Sequence, residues 1–388
     1  MNIHSLPLLC SITLMTGVIT LTTGHAAPNQ PTVRQLVDAS IAPVMETHHI
    51  PGMSVGIISG QQGYLFNYGV ASRQTGAPVT ASTLFELGSI SKTFTATLAS
   101  YAQVLGHLKL SDTVSHHLPQ MKDTAFGAVS LMQLGTHTPG GFPLQVPDDI
   151  QNNDQLMSYL QQWKPPFETG TKRTYTNPAI GMLGMITAKA MGQAFIPLMQ
   201  EQIYGGLGLA ETFIDIPEKL MGNYAQGYDK QDTPVRVSKA VLWAQAYGAK
   251  STGKDMLRFL QANMQMIDID DRLQRAVKDT HTGYFQTAAL TQDLIWEQYP
   301  YPVALESLLH GNSAEFALTP QPVKALVPPM APRDDVWINK TGSTNGFGAY
   351  IAFVPARKLG IVILANKNYP NAVRVALAHR ILTALDSQ

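Results

Sequence analysis

The chain has 388 residues, equal numbers of acidic and basic side chains, and a charged fraction of 14%, against roughly 25% in an average soluble protein. A formal net charge of zero argues against nucleic acid or an anionic membrane surface as a partner. The length supports a large core and more than one structural lobe.

Residues 6–21 are rich in apolar side chains, and Gly24-His25-Ala26 offers small residues for cleavage after Ala26. Cleavage after Ala27 is the close alternative. Residues 1–26 are therefore expected to be an export signal, although no lysine or arginine precedes the apolar stretch. As an uncleaved anchor the stretch is short and too rich in Thr and Ser. The single cysteine, Cys10, follows Leu9 where lipidation needs a small residue. The mature chain is thus expected to be free of cysteine, which suits an oxidising compartment, the periplasm.

Residues 52–58 and 64–70 read as a β-hairpin. Gly52-Met53-Ser54-Val55-Gly56 matches G-x-S-x-G, but that motif needs a strand, a sharp turn and a helix. Ser54 lies within a continuing β pattern and reads as a strand serine. Phe85-Glu86-Leu87-Gly88 leads into Ser89, after which Ile90, Phe94, Leu98, Tyr101 and Leu105 recur at helical spacing. Ser89 then sits at a helix N-terminus, where unpaired N–H groups favour developing negative charge. Lys92 lies on the same face of that first turn. A serine hydroxyl is a poor nucleophile until a neighbouring base takes its proton. Alone, the pattern is equally an N-cap serine followed by a solvated lysine.

The sequence from Ile90 to about Ala288 is mainly helical. Within it, Tyr175-Thr176-Asn177 enters an apolar helix marked by Ile180, Leu183 and Ile186. Two lysines close to a phenol would favour its anion, which makes Tyr175 a candidate general base and Asn177 a neutral amide donor. None of the eleven histidines stands at H-x-H or H-x-x-x-H spacing, so no metal is expected. His48-His49 and His116-His117 read as solvated or internally satisfied.

Val327-Pro328-Pro329-Met330-Ala331-Pro332 reads as an extended linker. Residues 336–342 read as a strand ending at a glycine, and 346–354 and 359–364 as the next two, joined through a tight turn at 355–358. Lys340 and Thr341 are expected on an edge strand beside the serine, with Gly342 letting a substrate approach the backbone. Residues 373–385 close the chain as an amphipathic helix. The economical architecture is α/β, of the α+β type. An antiparallel sheet is built from both chain ends, 27–88 and 289–388, and flanked by helices. A mainly helical lobe, 89–288, is inserted.

Ser89-x-x-Lys92 combined with Lys340-Thr341-Gly342 describes serine β-lactamases and penicillin-binding proteins. With Tyr175-x-Asn177 between them, the chain resembles the class C β-lactamases. Further stretches look alike: Gly140-Gly141-Phe142-Pro143-Leu144-Gln145-Val146-Pro147, residues 223–228, 246–251 and 364–371. The resemblance runs from about Pro51 to the C-terminal helix. Asn339, where a histidine often precedes the motif lysine, and Gln226, where tryptophan is common, depart from it. Neither position is read as part of the reaction centre, so each bears on fine specificity at most.

The resemblance implies a serine β-lactamase fold with the site between two lobes. It implies acylation of Ser89 by a β-lactam, chiefly a cephalosporin, with Lys92, Tyr175 and Lys340 as the other catalytic groups. The backbone N–H groups of Ser89 and Ser343 would form the oxyanion hole. Gln145 and Asn177 would hold the side-chain amide. Lys340, Asn371 and Asn368 would face the substrate carboxylate, and Thr341, Gly342, Ser343 and Tyr247 would line the site. The expected partner is a small β-lactam and the expected state a monomer, without cofactor, nucleic acid or stable membrane association. A class A-like enzyme would need S-D-N and E-x-x-L-N, and neither occurs. A D-alanyl-D-alanine peptidase or a penicillin-recognising esterase of the same fold would share Ser89, Lys92 and Tyr175, and a penicillin-binding sensor would acylate once and stop.

Overall fold

The computed structural model describes Met1 and residues 30–387 of the chain. The expected export signal, its cleavage site and Cys10 lie outside the described residues.

Nine strands form one antiparallel sheet: β1 (Gly52–Ser59), β2 (Gln62–Gly69), β3 (Gly283–Gln286), β4 (Thr291–Asp293), β5 (Glu297–Pro300), β6 (Lys324–Met330), β7 (Val336–Ser343), β8 (Gly348–Val354) and β9 (Leu359–Ala365). Their order is β6-β3-β4-β5-β7-β8-β9-β1-β2. The chain ends meet inside it, because β1 lies against β9 with Met53 opposite Ala365. Strand β3 belongs to this sheet although it precedes residue 289.

Alternation decides the layers. Met53, Val55, Ile57, Trp337, Tyr350, Ile361 and Ile363 pack in one cluster with residues of helices α1 (Gln30–Thr47) and α5 (Asn371–Asp386). Ile58, Ile338, Ile351, Phe353, Val362 and Leu364 pack in another, with residues of α2 (Ser91–Val104) and α4 (Gly253–Asn263). Both faces are covered, so β1, β8 and β9 are buried along their whole length. A third cluster joins α2 to α3 (Asn177–Ala190) through Ala96, Ala99, Ile180, Leu183 and Ile186. Among the described residues no single helix is long and apolar enough to cross a membrane.

Two readings from the sequence need correction. Residues 327–332 are mostly not a linker, since β6 pairs with β3 at the margin of the sheet. Proline is tolerated there because an edge strand leaves N–H positions without a ladder partner. Strand β7 is not an edge strand, having β5 on one side and β8 on the other. Yet β5 pairs only with Val336–Asn339, so Lys340 to Ser343 run past its end. The motif occupies a local edge within an interior strand.

Candidate active site

Ser89 lies in a 3₁₀ turn, Gly88–Ile90, that feeds directly into α2. Gly88 has φ +51°, and a Cβ on it would lie 2.5 Å from both N and O of Ser343. Glycine is required there for the turn and for the approach of β7. Gly342 makes the reciprocal approach: a Cβ would stand 2.0 Å from the Leu87 carbonyl oxygen and 3.1 Å from Ile90 N. The expectation that Gly342 makes room for substrate is therefore corrected. Its missing side chain is filled by the turn that carries the nucleophile.

Lys92 is fully buried and donates to Ser89 Oγ at 2.8 Å and to the Ala246 carbonyl at 2.9 Å. The Tyr175 hydroxyl stands in hydrogen-bond reach of both Ser89 and Lys92. Two ammonium groups flank its ring, Lys92 Nζ at 5.2 Å and Lys340 Nζ at 5.0 Å from the centroid. Burial alone would push the phenol up. The charges of Lys340 and Lys92 and the Ser89 hydrogen bond outweigh it and bring Tyr175 down to about 8. Burial brings Lys92 down to about 8 as well, with Lys340 adding to the shift and Tyr175 opposing it. A nucleophile is thus bonded to Lys92 and lies beside Tyr175, both poised near 8, the arrangement that proton transfer requires.

These groups open into a cavity of about 360 Å³ lined by Ser89, Gln145, Tyr175, Asn177, Tyr247, Ser343 and Asn368, with Leu144, Val237, Ser238, Thr344 and Asn345. Asn177 begins α3, where Pro178 in the first turn removes no needed donor. Its side chain donates to Gln145 Oε1 at 2.9 Å. Lys340 is buried behind this lining and Thr341 is half-buried. Asn371 lines an adjoining cavity that shares Ser343 and Asn368.

Several polar groups at the site carried no local signal in the sequence. Arg374, on α5, is fully buried and donates to Gly342 O at 2.7 Å, Ser343 Oγ at 2.9 Å and the Tyr369 carbonyl. Burial lowers it to about 10. The His137 ring lies 4.3 Å from that of Tyr175, tilted by 35°, and accepts from Thr176 N at 3.3 Å. Burial and the nearby Arg173, Lys92 and Lys340 charges keep its pKa well below the usual histidine range, so the ring is neutral. Arg173 pairs with Glu297 at 2.6 Å, and Glu297 faces Asn339 across β5 and β7. Asn339 accepts from Tyr350 at 2.9 Å and Asn312 at 3.1 Å. Ser54 lies in β1 and donates to Asn67 at 2.7 Å, away from the cavity lining.

Among the described residues one group, Asp112, His116 and His117, brings three possible metal-ligand atoms within 4.8 Å. Histidine spacing alone could not register it, because one ligand is a carboxylate. Asp112 already pairs with His117 at 3.0 Å and caps Lys109 N at 2.8 Å.

The beta-lactamase family model matches residues 37–386. A beta-lactamase of Pseudomonas fluorescens is 49% identical over 354 residues, covering 91% of this chain and 99% of its own. A solved class C beta-lactamase in complex with cefoxitin aligns with a TM-score of 0.89 and 49% identity, over 91% of this chain and 99% of its own. A D-alanine carboxypeptidase of Burkholderia cenocepacia aligns with a TM-score of 0.88 and 52% identity, over 92% of this chain and all of its own.

Proposed function

The chain belongs to the beta-lactamase family, class C, and from this premise we propose that it destroys cephalosporins through an acyl-enzyme on Ser89. One observation carries the assignment: Ser89 Oγ lies 2.8 Å from Lys92 Nζ, beside a phenol flanked by two ammonium groups, at the floor of an open cavity.

In the proposed reaction the Tyr175–Lys92 pair takes the Ser89 proton as Oγ attacks the lactam carbonyl. The N–H groups of Ser89 and Ser343 hold the oxyanion. The C–N bond breaks and Tyr175 returns the proton to the departing nitrogen. Water, activated by the same pair, then cleaves the ester and restores Ser89. Lys340 and Asn371, with Asn368, receive the substrate carboxylate, and Gln145 and Asn177 receive the side-chain amide. Thr341 and Tyr247 complete the walls. The Asn177–Gln145 hydrogen bond, which pre-sets both amides, supports this division of roles. The reading further includes export to the periplasm with removal of residues 1–26, and action as a monomer. It places the cleft between a lobe built on the sheet, which takes in β3 ahead of residue 289, and a mainly helical lobe inserted between β2 and β3.

A second reading, D-alanyl-D-alanine peptidase, is favoured by the carboxypeptidase relative at 52% identity. Steady-state assays of the purified chain separate the two. Repeated cephalosporin turnover with D-alanyl-D-alanine peptides left essentially intact is expected. Faster dipeptide cleavage selects the peptidase, and a single stoichiometric burst selects a sensor. Ser89→Gly should give no covalent adduct by intact mass.

A further inference from the structure

Glu86 lies three residues before Ser89, is 1% exposed, and has no task in the chemistry above. Its Oε1 accepts two hydrogen bonds, one from the Tyr224 hydroxyl and one, at 2.8 Å, from the backbone N–H of Val237. Val237 and Ser238 line the cavity together with Gln145 and Asn177.

Other contacts hold the same short segment. Arg236 donates to the Tyr224 carbonyl at 2.6 Å and the Ala225 carbonyl at 3.3 Å, and its guanidinium lies 4.0 Å over the Tyr224 ring. Pro234–Val235 pairs with Gly227–Tyr228, and Gln226 donates to Val235 O at 3.4 Å. The Tyr224 ring stacks on Phe347, whose carbonyl accepts from the N–H of Thr344, another residue of the cavity lining. Burial and the Glu86 charge push the Tyr224 phenol up, so it remains a donor. Lys250, the register partner of Glu86 on a neighbouring two-residue strand, supplies positive charge close by.

A buried carboxylate with one oxygen left unpartnered is costly. What this one secures is the position of a single stretch of backbone, and that stretch borders the substrate. We infer that Glu86, Tyr224 and Arg236 form a latch that fixes residues 234–238 as a wall of the cavity and so sets the size of acyl side chain the enzyme accepts. All three are positioning residues, since none lines the cavity. The inference rests on the proposed role of Gln145 and Asn177 at the side-chain amide, which puts Val237 and Ser238 at that end of the substrate.

Tyr224→Phe removes only the hydroxyl, Arg236→Ala removes the clamp, and Glu86→Gln weakens the acceptor at constant volume. Each is compared with wild type on cefalotin, whose side chain is small, and ceftazidime, whose side chain is branched. The ceftazidime-to-cefalotin ratio of kcat/KM should rise about threefold or more, through KM, while cefalotin kcat stays within about twofold. Amide exchange over residues 234–239, measured without substrate, should accelerate. A ratio unchanged in all three variants overturns the latch even if exchange accelerates, as does an equal loss on both substrates. Wild-type turnover of cefalotin tests the proposed function, whereas the latch is read from ratios and from exchange, so the two fail separately. Tyr224→Phe and Arg236→Ala leave the buried carboxylate and its Val237 bond in place, which keeps the test open if Glu86→Gln does not fold.

Discussion

Tyr175 and Lys92 reach the same poise from opposite directions. Burial disfavours both charged forms, but the phenolate sees two cations while the ammonium sees one cation and one phenol. With both groups near 8, the competent pair has one proton fewer than its fully protonated form, and the two share what remains. Below about 8 the pair takes that proton back and can no longer accept one from Ser89; above it a further proton leaves. The pH profile of kcat/KM should therefore be a bell centred near 8. Tyr175→Phe should lower activity roughly 100- to 10,000-fold and abolish the bell. A wild-type profile flat from pH 6 to 10 would sink the pairing. Lys92 also carries a stability consequence. Lowering its pKa from 10.5 to about 8 corresponds to roughly 3 kcal/mol set against the charged folded state. That cost is complete below pH 8 and fades as pH rises to 10.5, because only then is the unfolded lysine neutral too. Lys92→Met should thus abolish turnover yet raise the melting temperature at pH 7, with a smaller gain at pH 10. A melting temperature lowered at pH 7 would contradict it.

At the level of elements, the site is made by one close contact between the Gly88–Ile90 turn and the end of β7. Gly342→Ala tests what that contact is for. If Gly342 served substrate approach, alanine would raise KM alone. The Cβ instead meets the Leu87 carbonyl at 2.0 Å, so either β7 or the nucleophile turn must move. Displacement of about 1 Å at reacting groups costs on the order of 100-fold. Acylation rate and melting temperature should fall together, as stopped-flow and thermal unfolding measure. An effect confined to KM would restore the substrate reading. The same elements mark what was legible beforehand. Ser89-x-x-Lys92 was legible because both residues sit within one helical turn, and Lys340-Thr341-Gly342 because strand patterning surrounds it. Strand β6 was missed because Pro328-Pro329 looks like a linker until an edge is known to be available. Arg173 and Glu297 meet across 124 residues, and Arg374 reaches Ser343 across 31, with nothing local to announce either. Asn339 and Gln226 stood out only as departures. The fold shows Asn339 buried within β7 and Gln226 bonded to the carbonyl of Val235, two residues before Val237 of the cavity lining.

For the whole molecule, the decisive fact is that the sheet cannot close until the chain is nearly finished. Strand β1 has β9 as its inner neighbour, with Met53 facing Ala365, and α5 then packs in the same cluster as α1. Helix α5 contributes Val375, Leu377, Ile381, Leu382 and Leu385 to that cluster, all buried. At about 1.5–3 kcal/mol for each large apolar side chain, their removal would cost roughly 10 kcal/mol gross. That equals the whole net stability of a typical domain, about 5–15 kcal/mol. The loss is not only apolar, since Arg374 leaves with the helix and abandons the Gly342 carbonyl it holds beneath the active-site strand. A chain ending at Pro370 keeps Ser89, Lys92 and Tyr175, every group assigned to proton transfer, and Lys340 as well. It should nevertheless fail to acylate, and thermal unfolding should show no cooperative transition. The companion variant Leu382→Ala leaves Arg374 in place and removes one buried side chain, for which about 2–5 kcal/mol is expected. It should melt lower but keep kcat where it remains folded. If the chain ending at Pro370 instead unfolds cooperatively and acylates at the full-length rate, closure of the sheet by the C-terminal helix is not what holds the site together.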